Sequence, residues 1–354
     1  MKFLDFSQKV IKKLDRTISG PLVEFAEQFL YGHREALCAY AGLPSNSIIK
    51  GSVEHGWTSF PPIYGIPKLT GGKFVHLIWS SDRLPANYIH KANLIAVGAP
   101  FLYAYEDVKK LLPASADLNH QHSERTLFFP GHGTEVNTPH IDSQITAVKK
   151  LVDPKKTTVC LFWTEFVNPI FRKKFIESGF KITNVGFSGI QEHVGLGLSA
   201  RKHAGGTTGG RHQFLLNLIL LLNSHKNVIV GDVGTSAFYA AFMRKNLTLM
   251  PEYLDMPMEI TYLKRTLNTK DDPGEVQQVK FIERHMGCEF RKINFSSPEF
   301  QNFARVQLGA NDLKSKSELY DILIEHSLAV GNPVPFDQYL EYVRNFDKIM
   351  ATVL

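Results

Sequence analysis

The chain has 354 residues, 44% of them hydrophobic, which is enough to bury a sizeable core and favours about two domains of roughly 150 residues each. A formal net charge of +6 suits an anionic small molecule, an anionic membrane surface or nucleic acid, but the basic residues are scattered along the sequence without aromatic interleaving, which argues against nucleic acid. Cys38, Cys160 and Cys288 stand far apart and form no CxxC pair, so neither a disulfide framework nor a zinc knuckle is indicated and a reducing compartment fits.

The first predicted element is an amphipathic basic helix over 3–18. Phe3, Phe6, Val10, Ile11, Leu14 and Ile18 form its apolar stripe, with Lys2, Lys9, Lys12, Lys13 and Arg16 mostly elsewhere. Such a helix packs on its own domain or lies on an anionic membrane. No apolar h-region or small-residue cleavage site follows Met1, so the expected location is cytoplasmic, with the inner face of the membrane as a peripheral contact. The longest apolar run, Phe214–Leu222, is short of the ~20 residues that cross a bilayer and reads as a buried helix.

From residue 46 onward short β-rich runs alternate with helical patterns. Runs at 47–51, 73–79 and 93–97 form one series. Runs at 125–129, 157–163, 180–185, 227–231 and 247–250 form a second, alternating with helical patterns around 140–151, 168–178, 211–224 and 235–245. Two such series predict an α/β fold of two Rossmann-like lobes, 1–122 and 123–334, divided near the polar stretch Ser115–Ser123. A ligand cleft is expected between them, at the carboxyl ends of the strands. A last helical pattern at 335–354 is expected to pack back on the first lobe.

Four segments can carry chemistry. Gly231-Asp232-Val233-Gly234-Thr235-Ser236 lies between an apolar strand and a helix. Its glycines admit a ligand to the backbone, Thr235 or Ser236 can cap the helix, and the helix amides attract a phosphate. The alternative is a helix cap with no ligand. Phe128-Phe129-Pro130-Gly131-His132-Gly133-Thr134 ends a strand on a sterically open histidine, which binds a ligand or merely bonds its own turn. Gly51-Ser52-Val53-Glu54-His55-Gly56-Trp57 offers a general base: His55 has a suitable ordinary pKa of about 6.5, and Glu54 can orient it or serve instead. The stretch His203–His212 is glycine-rich and brings Arg211 to the start of a helix, as an anion-binding loop or a solvent loop. No DxD, HExxH, P-loop or GxSxG pattern is present, and Gly195-Leu196-Gly197-Leu198-Ser199-Ala200 follows no convincing strand, so neither a metal nor another cofactor is expected.

Taken in order, His55-Gly56, Val97–Tyr103, Phe128–Thr134, Cys160–Trp163 and Val233–Ser236 with Ala240 and Lys245-Asn246 resemble bacterial surface-polysaccharide glycosyltransferases of GT-B fold, over about residues 50–255. They are also similar to teichoic-acid glycerophosphotransferases, where an early His-Gly supplies the base and a later histidine holds the donor phosphates. By position these would be His55 and His132, although Gly133 stands where those enzymes carry arginine or tryptophan. Transferases of CMP-linked sugars grip the donor phosphate with a His and a Ser/Thr pair, which His132, Thr235 and Ser236 would imitate.

The reading is therefore a metal-independent glycosyltransferase of cell-surface polysaccharide synthesis, using a nucleotide-sugar donor, with a CMP-sugar as one option, and a glycan or lipid-linked acceptor. His55, Glu54 and Asp232 are the catalytic candidates; His132, Gly133, Thr134, Arg211, Gly234, Thr235 and Ser236 are the donor-binding ones. A sugar-nucleotide 2-epimerase and a non-catalytic nucleotide- or glycan-binding protein remain as alternatives.

Overall fold

A computed structural model describes residues 30–44, 47–49, 51–54, 56–57, 75–83, 94–111, 125–131, 138–162, 165–166, 168–185, 213–250 and 274–329. The chain is α/β, and its principal sheets are parallel. Helix α1 (His33–Ala41) ends at Gly42, whose left-handed backbone (φ 82°) returns its amide to the Ala39 and Cys38 carbonyls. Strands β1 (Ile48–Ile49), β2 (Gly51–Val53), β3 (Val75–Ile78) and β4 (Leu94–Ala96) follow, then α2 (Pro100–Leu111). Strands β2, β3 and β4 form a parallel sheet in that order. Val53, Val75 and Leu77 pack with Leu37, Cys38 and Tyr103 of the flanking helices.

The second series is β5 (Thr126–Phe129), α3 (Thr138–Leu151), β6 (Thr157–Cys160), α4 (Pro169–Glu177), β7 (Lys181–Thr183), α5 (Gln213–Asn223), β8 (Asn227–Val230), α6 (Thr235–Phe242) and β9 (Asn246–Leu249). Its strands pair in the order β7-β6-β5-β8-β9, all parallel. Counted within the series this is 3-2-1-4-5, the Rossmann arrangement, in which successive connections run to opposite sides of the first strand. Each periodic run supplies one layer of the core. Phe128, Val159 and Ile229 face Ile141, Ile145, Val148, Phe171 and Phe175 on one side of the sheet. Leu127, Val228 and Val230 face Leu215, Ile219, Ala237 and Phe238 on the other.

That second layer continues into the first half of the chain. Phe238 stacks on Trp57 at 4.0 Å, and Tyr239 stacks on Phe101 at 3.9 Å with the rings 9° apart. The last described elements are α7 (Gly274–Met286), α8 (Pro298–Gln307), α9 (Lys316–Glu325) and β10 (Ser327–Ala329). Helix α8 is entered by Ser297, whose hydroxyl accepts the Phe300 amide before Pro298 and the following turn; α9 begins with a Ser315–Glu318 capping box.

These elements return the chain to its first half. Strand β10 pairs antiparallel with β1, α9 packs on α1, and Ser81 bonds Asp312 through amide and hydroxyl. The return thus occurs within 298–329, which the sequence reading placed in the second lobe. The expected boundary at 115–123 and the helices at 3–18 and 335–354 lie outside the described residues. No helix among the described residues is long and apolar enough to cross a membrane.

Candidate functional site

In a 3-2-1-4-5 sheet the connections diverge between the first and fourth strands, leaving a crevice outside their carboxyl ends. Here those strands are β5 and β8, and the loops leaving them are the two glycine turns singled out by sequence. The turns touch: the Gly231 amide donates to the Phe129 carbonyl at 2.7 Å, and a Cβ on Gly231 would lie 1.9 Å from the Gly131 nitrogen. Gln144 of α3 braces the same turn, its amide donating to the Gly131 carbonyl at 3.0 Å.

The 231–236 turn opens α6 differently from expectation. Its N-cap is Gly234, which has no side chain to cap with; Thr235 and Ser236 are the first helical residues, and neither caps the helix. The Ala237 amide bonds the Gly234 carbonyl, whereas the amides of Val233, Gly234, Thr235 and Ser236 donate to no acceptor among the described residues. Four N–H groups at a helix start, in a half-buried turn, form a ready anion site. The Asp232 carboxylate folds over this turn: Oδ1 would lie 3.0 Å from a Cβ on Gly234, and Oδ2 3.5 Å from one on Gly131. A negative charge therefore shares the crevice with the free amides.

The first sheet reaches the same place from its own strand ends. After β2 the chain runs through Glu54 to Gly56 and Trp57, whose amide donates to Thr235 Oγ1 at 2.8 Å. Trp57 Nε1 donates to Gln307 Oε1 at 3.3 Å, so the loop is pinned on α6 and α8 together. The Thr235 hydroxyl oxygen is thus already a link between the two parts of the chain, which moves it from a simple phosphate ligand towards an organising role.

Glu54 also differs from the sequence expectation of a cleft-facing base. It is 2% exposed; Arg83 Nη1 donates to its Oε1 at 2.6 Å, Arg83 Nη2 bonds Oε2 at 2.5 Å, and the Trp79 amide donates to Oε2 at 2.7 Å. A forked guanidinium and a backbone amide leave that carboxylate turned into the core as an anchor. Its carbonyl is held as well, by His33 Nδ1 at 3.1 Å and Trp79 Nε1 at 2.9 Å. Both ends of Glu54 are clamped on either side of the peptide that leads to His55.

Beneath the clamp, the Tyr239 hydroxyl is buried without a hydrogen-bond partner. Burial first, and the nearby Glu54 charge second, push it well above its ordinary value of 10.0, so it stays protonated. His76 bonds the Ser52 hydroxyl at 2.6 Å on the adjacent strand, and burial lowers it to about 4. It is neutral at physiological pH.

His55, His132, Gly133, Thr134 and Arg211 lie outside the described residues, though His55 and His132 directly follow Glu54 and Gly131 in the chain. Among the described residues no group of three or more His, Cys, Asp or Glu could hold a metal ion. Sequence reasoning missed Arg83 and Gln144, and it named Trp57 only as the end of the Gly51–Trp57 segment, without a role. Arg83 and Trp57 follow strand ends, a position that itself marks candidates; Gln144 carries no local signal. No family model, curated protein or solved structure matches the chain.

Proposed function

We propose that the chain is a metal-independent glycosyltransferase, its two parallel sheets forming GT-B-like lobes about the crevice. It moves a sugar from a nucleotide-activated donor to a glycan or lipid-linked acceptor. The observation that carries this reading is the abutment of the Gly131 and Gly231 turns at the switch point, beside four free amides and under the Trp57 loop of the other sheet.

In this reading the donor phosphate accepts hydrogen bonds from the amides of Val233, Gly234, Thr235 and Ser236, with His132 and Arg211 adding positive charge. His55 takes the proton of the acceptor hydroxyl as its oxygen bonds the anomeric carbon and the bond to the phosphate oxygen breaks. The phosphate leaves as an anion held by the amides, which stabilise charge where it develops. The Glu54–Arg83 clamp fixes the peptide carrying His55 and is a positioning element. Asp232, beside the amides, repels phosphate and suits hydroxyls of the sugar or acceptor.

A product assay tests the proposal. With a nucleotide sugar and a panel of glycan and lipid-linked acceptors, the wild type forms a glycosylated product and His55→Ala loses transfer while retaining donor binding. Unchanged turnover in His55→Ala removes that residue from the mechanism. A nucleotide-linked isomer formed without any acceptor identifies an epimerase instead.

A further inference from the structure

The five-stranded sheet has a second edge, opposite the crevice, where its strands begin nearly flush. Thr126 is in register with Thr157 and with Asn227, Asn227 with Asn246, and Thr158 with Lys181. The residues entering neighbouring strands therefore stand side by side, about 4.8 Å apart along the sheet. Across the sheet these are Lys156, Arg125, Lys226 and Lys245, while Lys181, which opens β7 opposite Thr158, lies two residues further along than Lys156. Every strand begins on a cation.

Arg125, Lys156, Lys181 and Lys226 are exposed, whereas Lys245 is 4% exposed. None of the five forms an ion pair with a described carboxylate. Helices antiparallel to the strands bring their ends to the same edge, adding exposed Lys149 and Lys150 from α3 and Arg244 after α6. Leu151 and Ile176, at the ends of α3 and α4, are 41% and 52% exposed there. The turns beside them meet, since a Cβ on Gly179 would lie 3.5 Å from Pro154 Cβ. The acidic residues of these turns are engaged: Asp153 Oδ1 accepts the Lys155 amide, and Glu177 pairs with Lys173.

The helix dipole accounts for cations at helix C-termini such as Lys149 and Lys150. It does not account for Arg125, Lys156, Lys181 and Lys226, because a sheet has little net dipole to compensate. A row of exposed like charges at this spacing repels itself, salt screens that repulsion only in part, and an anionic surface lying against the row turns it into attraction. We propose that this edge docks on an anionic lipid surface, its strand-entry cations over the headgroups and Leu151 and Ile176 entering the acyl boundary. The flush register of Lys156, Arg125, Lys226 and Lys245 gives the row a common front, and among the described residues no exposed aromatic lies on it to stack bases as a nucleic-acid site would have. The proposal is independent of the glycosyl-transfer reading.

The test is co-sedimentation of the full chain with vesicles of equal parts phosphatidylglycerol and phosphatidylcholine, against phosphatidylcholine alone. The variant Lys156→Gln, Lys181→Gln, Lys226→Gln removes three exposed charges from the edge; Lys109→Gln, Lys292→Gln, Lys316→Gln removes three exposed charges elsewhere. Wild type and the second variant should sediment with the anionic vesicles only, and the edge variant should lose at least about tenfold in partitioning. Circular dichroism checks that both variants are folded. Equal binding by the edge variant would place the contact elsewhere, for instance on the basic stretch at 2–16, and would overturn the proposal. So would failure of the wild type to bind anionic vesicles, whether or not it binds RNA, or equal binding to neutral ones.

Discussion

A methyl group on Gly231 would stand 1.9 Å from the Gly131 nitrogen and 2.7 Å from its Cα, and only backbone movement can relieve such contacts. Gly231→Ala should therefore destabilise the protein by at least about 2 kcal/mol in urea unfolding, the range of overpacked cores; an unchanged midpoint would mean the turns do not abut. His76 makes a second residue-scale prediction. Its pKa is 6.5 when exposed and about 4 when folded, so the unfolded chain binds its proton first as the pH falls. This group leaves stability untouched above pH 6.5 and removes up to about 3 kcal/mol on descent towards pH 4. His76→Gln should flatten that slope in urea unfolding between neutral and mildly acidic pH. At this scale the sequence reveals residue types but not their partners. Glu54 beside His55 reads as a base until Arg83, 29 residues away, is seen to fork onto it. Thr235 reads as a cap until the Trp57 amide is seen on its hydroxyl.

At the scale of elements, α6 is where the two parts of the chain meet, and Thr235 joins its first turn to the Trp57 loop. Thr235→Val keeps the shape and leaves the buried Trp57 amide without its acceptor, for an expected loss of about 1–2 kcal/mol that Thr235→Ser should restore. Equal stability of the Val and Ser variants would dismiss the link. Most strands and helices of the second series are legible because strong periodicity coincides with glycine and proline punctuation. Thus α5 and α6 fall at 213–223 and 235–242, against patterns read at 211–224 and 235–245. Helices α8 and α9 were not read, although Ser297-Pro298 and Ser315–Glu318 are local start signals. What completes them is packing against residues far away in the chain: Phe300 and Phe303 of α8 lie on Phe238 of α6, and α9 packs on α1.

At the scale of the whole molecule, pairing order and register are the parts a sequence conceals, since both join residues far apart in the chain. The 3-2-1-4-5 order converts two separate glycine turns into one crevice. Register does the same for charge: cations scattered along the sequence become a row along the opposite edge. The central claim is that the free amides of the 231–236 turn hold a donor phosphate. Ser236→Asp addresses it directly, because aspartate in the first turn of a helix favours folding while its charge opposes a phosphate at the same amides. The measurement is the melting temperature of wild type and Ser236→Asp with CMP, UDP, GDP and CDP, each at saturating concentration. The account predicts that at least one nucleotide raises the melting temperature of the wild type and that Ser236→Asp, at least as stable on its own, loses that rise. Absence of any rise in the wild type, or its full retention in Ser236→Asp, would contradict a phosphate site at this turn.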